Sequence, residues 1–160
     1  MMKSGFTKRF GFLVRDVDRL FGEQFDRLSR ERIGLSRAQV RLLGELAMHD
    51  EALPPLSQIE LARRLDLSAM SVGGMCDRLV LTGWIQRQPS TADRRANEVR
   101  LAPKAIKALE EALRIGDTLS AQMLSVLSAQ ERHALISLLD RVRMHQLELA
   151  GRDDAGMVAR

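Results

Sequence analysis

The chain has one cysteine, Cys76, among 160 residues. No intramolecular disulfide can form, which fits a reducing compartment. No apolar stretch approaches the ~18 residues that a membrane-spanning helix needs. The first twenty residues meet charge too early for a secretory signal. A cytoplasmic protein without a membrane partner is the expectation. The sequence also lacks a glycine-rich phosphate loop and a nucleophile elbow, and its acids are spread along helical segments, so no enzyme is expected. His49, His133 and His145 lie far apart, none has a metal-ligating neighbour four residues on, and Cys76 is the lone thiol. Neither a metal nor a cofactor is expected. Cys76 itself, between Met75 and Asp77, reads as a small buried apolar residue rather than a redox sensor, because no second thiol is there to resolve it.

What the sequence does have is apolar periodicity. The apolar fraction is 45%, and this length suffices for one domain with an unstapled core. Phe6, Phe10, Leu13, Val14, Val17, Leu20, Phe21, Phe25 and Leu28 recur at spacings of three and four, which predicts a long helix over 6–30. That stripe can bury against a second subunit or against the chain's own core, and the pattern alone does not choose. Gly34 ends the helix. Ser36 caps the next, Gln39 completes a capping box, and Val40, Leu43, Leu46 and Ala47 are its inward positions. The prolines of "DEALPPL" interrupt. Ser57 with Glu60 starts a short helix. Ser68 starts a fourth, and Gly83 closes it in left-handed conformation. Pro103 opens a longer helix with Ile106, Leu109, Leu113 and Leu119 as its stripe. Ser128 and Glu131 begin the last, with Leu135, Leu138, Leu139, Val142 and Leu149 on one face. Residues 150–160 read as a disordered tail. Met70, Met75, Met123 and Met144 suit gap filling.

"WIQRQP" and "NEVRL" alternate in the manner of short strands. They flank "STADRRA", which becomes the turn of a hairpin. Residues 57–101 therefore read as a helix-turn-helix followed by a β-hairpin wing, and the fold class is mainly α with this small hairpin. Charge concentrates in the same segment. Residues 63–100 carry Arg63, Arg64, Arg78, Arg87, Arg94, Arg95 and Arg100 against Asp66, Asp77, Asp93 and Glu98, a net +3 in a chain of +4. Arginines on a hairpin tip add nothing to a core. A solvated face would show the same excess, but beside a helix-turn-helix it reads as a nucleic-acid footprint. In such an architecture the second helix enters the major groove and phosphate contacts fix its register. The rival reading is a winged-helix module for protein contact, since fold does not fix function. That module has no need of Asp93, Arg94 and Arg95 at the tip.

The ordered set "LARRLDLS", "DRL…TGWIQR", "DRR" and "VRL" resembles the DNA-binding core of the MarR family, the multiple-antibiotic-resistance regulators, and the flanking helices suit the family's plan. The resemblance implies one domain over 1–160, with 6–30 and 103–149 as dimerisation helices and 36–101 as a winged helix-turn-helix lobe. It implies a homodimer whose terminal helices interlock and whose fourth helices read the half-sites of a pseudo-palindromic operator on double-stranded DNA. Ser68, Ala69, Met70, Ser71, Gly73 and Gly74 map to groove-facing positions, and Arg78 to a phosphate or base contact, with a structural ion pair to Asp77 as the alternative. In the wing, Asp93 would brace Arg95 toward the minor groove while Arg94 reaches phosphate. Arg63 and Arg64 suit phosphate or plain solvent. The resemblance further implies a repressor answering to a small aromatic or phenolic effector, with Arg15 or His49 as residues that could face its pocket. Two departures stand out. Glycines replace larger polar residues at 73 and 74, shifting the expectation from direct base contact to shape readout. Ala102 stands where the family has a threonine that caps the following helix.

Overall fold

The computed structural model describes residues 7–49, 56–89 and 97–158. Contacts gather into two units, one reaching to Leu119 and one beginning at Ser120.

The first unit is built from locally determined pieces. Helix α1, Phe10–Ile33, ends at Gly34, whose φ of 72° is the left-handed conformation that only glycine adopts without strain. Ser29, fully buried one turn earlier, donates its hydroxyl to the Leu35 carbonyl at 2.8 Å and fixes the bend. Ser36 caps helix α2, Arg37–Ala47, through a complete capping box with Gln39. Asp26 accepts the Arg37 backbone N–H at 2.7 Å, joining α1 to the N-terminus of α2. The Arg30 side chain, and then that amide, hold the Asp26 carboxyl below its ordinary range.

Helix α3, Gln58–Leu65, and helix α4, Ala69–Leu81, form the helix-turn-helix. Ser57 and Glu60 make the α3 capping box, and the Ser57 backbone N–H is the main reason the Glu60 carboxylate is held below its usual range. The turn passes through Asp66 at φ 54°, the one described non-glycine residue with positive φ, where Asp is better tolerated than most. Ser68 caps α4 by accepting the Ser71 N–H at 3.1 Å. At the other end Gly83, at φ 71°, closes a Schellman motif. Trp84 N–H reaches Leu79 O at 2.8 Å and Gly83 N–H reaches Val80 O at 2.9 Å. The chain then enters strand β1, Ile85–Pro89, which pairs antiparallel with β2, Asn97–Leu101, in the register Ile85 to Leu101 and Arg87 to Val99.

One core joins these elements. Leu42, Leu43, Leu56, Leu61, Leu65, Val72, Cys76, Leu79, Ile85, Val99 and Ala105 are all buried in it. Each large aliphatic side chain so placed contributes about 1.5–3 kcal/mol. A second cluster packs Phe25 of α1 against Ala112, Ile115 and Leu119 of helix α5, Pro103–Met123.

Several inward positions differ from the sequence expectation. In α2, Leu42 is buried and Ala47 is exposed. In α5 the face toward the core is Ala105, Ala108, Ala112, Ile115 and Leu119, while Ile106 and Leu113 are 56% and 70% exposed. Alanines let the helix approach closely, so the larger residues on its flank are left outside. Ala102 is buried, so its methyl group occupies core space rather than a polar cap. Of the four methionines expected as gap fillers, only Met75 is buried, while Met70 and Met144 are exposed.

In the second unit, a short 3₁₀ turn, Leu124–Val126, precedes helix α6, Ala129–Val158. Ser128 and Glu131 form the expected capping box. The helix extends through residues assigned above to a tail. Gly151 and Gly156 each cost only about 1 kcal/mol of propensity and need not break it. Among the described residues, no helix is long and apolar enough to cross a membrane.

Candidate nucleic-acid interface

Helix α4 has two sharply different sides. Val72, Met75, Cys76 and Leu79 lock one side into the core. The first turn, with Ala69, Met70 and Ser71, is exposed, as is the N-capping Ser68. The cap engages both serine hydroxyls, whose oxygens lie 2.8 Å apart. Ser68 therefore holds the helix end, and Met70, among the most exposed large apolar side chains, reaches furthest outward.

Gly73 and Gly74 are half-buried. A Cβ on Gly74 would have no atom within 4 Å, and one on Gly73 would meet only the Gln58 amide at 3.9 Å. Neither glycine is required by close packing inside the chain. Gly74→Ala is therefore expected to stabilise the fold by about 0.5–1 kcal/mol, measured by thermal or denaturant unfolding. An unfolding midpoint that falls would mean the backbone there is not the helix described.

Arg78 is exposed, and no ion pair involves it among the described residues. Its anticipated structural partner, Asp77, pairs instead with Arg87 at 2.5 Å. Arg63 is exposed. Arg64 approaches Glu45 at 3.7 Å, a weak surface pair. Asp93, Arg94 and Arg95 lie outside the described residues. The base of the wing is well tied down. Lys104 donates to the Thr82 carbonyl at the end of α4 and lies 4.3 Å over the Trp84 ring. The Ala102 N–H reaches Trp84 O at 3.0 Å.

Arg87 is the residue that the sequence reading missed. It donates from Nη1 to Asp77 at 2.5 Å and from Nη2 to the Gly73 carbonyl at 3.4 Å, joining the wing to α4. A signal was available. Strands alternate, so Arg87 shares a face with the buried Ile85, and a charge on a core-facing side needs a partner.

Cys76 is fully buried. Burial pushes its thiol above the ordinary value, which keeps it protonated at neutral pH. Arg15 lines an open trough of about 750 Å³ between α1 and α2, with Asp18, Gly22, Asp26, Arg37 and Arg41. His49 is not part of that lining. The trough's charges are largely matched inside it, Arg37 to Asp18 and Arg19 to Glu23. This differs from the mostly apolar pockets that hold small organic ligands.

The arrangement is that of a winged helix-turn-helix, and the comparisons agree. Residues 33–96 match the sequence pattern of the MarR family. The apo form of MarR from E. coli is similar at 24% identity and a TM-score of 0.74, over 84% of this chain and 96% of that one. A "probable transcriptional regulator" from Pseudomonas aeruginosa is 28% identical with a TM-score of 0.67, over 86% and 98%. MepR of S. aureus, in a complex with DNA, is 22% identical with a TM-score of 0.69, also over 86% and 98%. The first and third speak for the fold. The MarR family's pattern thus covers the helix-turn-helix, and the fold is shared with solved MarR-type structures over more than four-fifths of this chain.

Proposed function

We propose that this protein is a cytoplasmic, homodimeric transcription regulator without catalytic activity, which binds a pseudo-palindromic operator in double-stranded DNA. The observation that carries the reading is the two-sidedness of α4: a fully buried inner face and an exposed first turn, on a helix-turn-helix with a hairpin at its side. The exposed turn would enter the major groove, with Ala69 and Met70 able to touch base edges and thymine methyl groups. Arg78 and Arg63, exposed on the same lobe, would contact phosphate. Asp93, Arg94 and Arg95 at the wing tip would reach the adjoining backbone and minor groove, where the potential favours a guanidinium.

Repression fits a dimer that occupies a promoter. An effector, in this reading a small aromatic or phenolic compound, would release the operator by binding more tightly to a form with the wrong spacing between recognition helices. Selection of bound sequences from a random duplex pool tests the proposal. A two-fold symmetric motif with half-site centres about 34–36 Å apart, one turn of duplex, is expected. A pool that stays random at low salt, with a folded dimer verified, would favour a protein-contact module instead. On the selected operator, Arg95→Ala should weaken binding to all sequences and lower the logarithmic salt slope by about one. An unchanged slope in titrations across salt concentrations removes Arg95 from the interface.

A further inference from the structure

Gly73 lies one helical turn beyond Ala69 and Met70, on the same strip of α4. It offers no side chain. What lies beside it is Gln58, the first residue of α3. The hydrogen-bond network orients the Gln58 amide with its oxygen toward Arg87, accepting from Nε at 2.9 Å and from Nη2 at 2.7 Å. The remaining amide atom, the nitrogen, then lies 3.9 Å from the point a Cβ on Gly73 would occupy. A longer side chain on Gly73 would compete with it for that space. Arg87 is itself fixed by Asp77 and by the Gly73 carbonyl. Its planar fork aims donors on Nε, Nη1 and Nη2 at three separate acceptors, a fixed geometry that the single nitrogen of a lysine does not reproduce.

We propose that Gln58, held across Gly73 by Arg87, is a specificity-determining residue of this protein. Its amide nitrogen supplies a hydrogen-bond donor to a base edge that Gly73 and Gly74 cannot supply. Arg87 is the positioning residue that fixes the amide's orientation. The donor would suit an acceptor on the major-groove edge, such as N7 or O6 of guanine, N7 of adenine or O4 of thymine. Rotamer freedom is what usually weakens a glutamine contact, and two bonds from one guanidinium remove it before DNA arrives.

The inference rests on the DNA-binding reading, and one experiment separates the two. The random-pool selection is run with the full-length protein and with Gln58→Ala, Gln58→Glu and Arg87→Lys, each verified as a folded dimer. The unchanged protein should select a symmetric motif. Gln58→Ala should lose base preference at one position per half-site, by about tenfold in relative affinity, with the salt slope unchanged. Gln58→Glu, now an acceptor, should move the preference at that position toward cytosine, whose N4 donates. Arg87→Lys should lose preference at the same position and no other. A motif that survives Gln58→Ala intact overturns the proposal, as does a uniform loss on all sequences with a lower salt slope, which would mark a phosphate contact. Full preference retained by Arg87→Lys overturns the positioning role. If the unchanged protein selects nothing, the DNA reading fails, and this proposal fails with it.

Discussion

Val17→Glu should convert the proposed dimer into a folded monomer, and its affinity for a two-half-site operator should fall by about 10²–10⁴-fold as the linked second contact is lost. The apolar stripe of α1 divides into two halves. Its C-terminal half is occupied inside the chain: Phe25 is buried against Ala112, Ile115 and Leu119, with Phe21 and Leu28 packed beside it. Its N-terminal half is not. Phe10 is 62% exposed, Val17 54%, and Leu13, Val14 and Leu20 are similarly open. Five large apolar residues at helical spacing on one exposed face exceed what a soluble surface normally leaves in water, and such a face marks an interaction site. Helix α6, in its own unit, exposes Leu138, Leu139, Val142 and Leu149 in the same way. A second copy of the chain is the partner proposed above for this face. A glutamate at Val17 would be buried without a counter-ion in that interface, yet it is solvated in the monomer.

Substitution tests this more cleanly than truncation. Removing residues 1–30 would also take Phe25, Ser29 and Asp26, which hold the second core cluster, the Leu35 bend and the start of α2. Sedimentation, with circular dichroism to verify the helix content, decides the matter. A Val17→Glu protein that still sediments as a dimer at micromolar concentration would show that this face is not the interface.

Features decided by neighbours in sequence were legible beforehand. The capping boxes at Ser36, Ser57 and Ser128, the cap at Ser68, the helix end at Gly34 and the left-handed Gly83 each depend on residues within one turn. The hairpin followed from its alternation. Features decided by distance were not. In α5, the rows 105, 108, 112, 115, 119 and 106, 109, 113 are both periodic. Reading by side-chain size selects the second and adds Leu119; the core takes the first, Leu119 included, because alanines permit close approach, with Leu109 packed beside it. Which row faces inward depends on where α1 lies, and no local pattern states that. Arg87 was missed for the same reason. Its partners Asp77, Gly73 and Gln58 are separated from it by up to 29 residues of sequence, and only the fold brings them together.

Leu79→Ala and Leu81→Ala, the same substitution two residues apart, should differ by about 2–4 kcal/mol in stability, because the core places them on opposite sides of α4. Leu79 is 0% exposed and packs in the cluster that joins α4 to the rest of the lobe. Truncating it removes the transfer free energy of three carbon atoms and leaves a cavity that the rest of the cluster can fill only by moving. The expected loss is about 2–5 kcal/mol, a large part of what a small domain has. Leu81 is 88% exposed, so its truncation should fall within about 0.5 kcal/mol of neutral.

The functional consequence is as informative as the stability. The Leu79 carbonyl also accepts Trp84 N–H in the cap that sets the exit of α4 toward the wing. Loosening this residue should therefore blur the relation between the recognition helix and the wing even where the protein remains folded. Operator affinity should fall more than non-specific affinity, since base contacts depend on a fixed helix and phosphate contacts tolerate play. Denaturant unfolding of both variants, paired with titrations on operator and random duplex, gives both readouts. Equal stabilities for the two variants would mean that α4 is seated with a different face inward. The assignment of Ala69, Met70 and Ser71 to the groove would then fall with it.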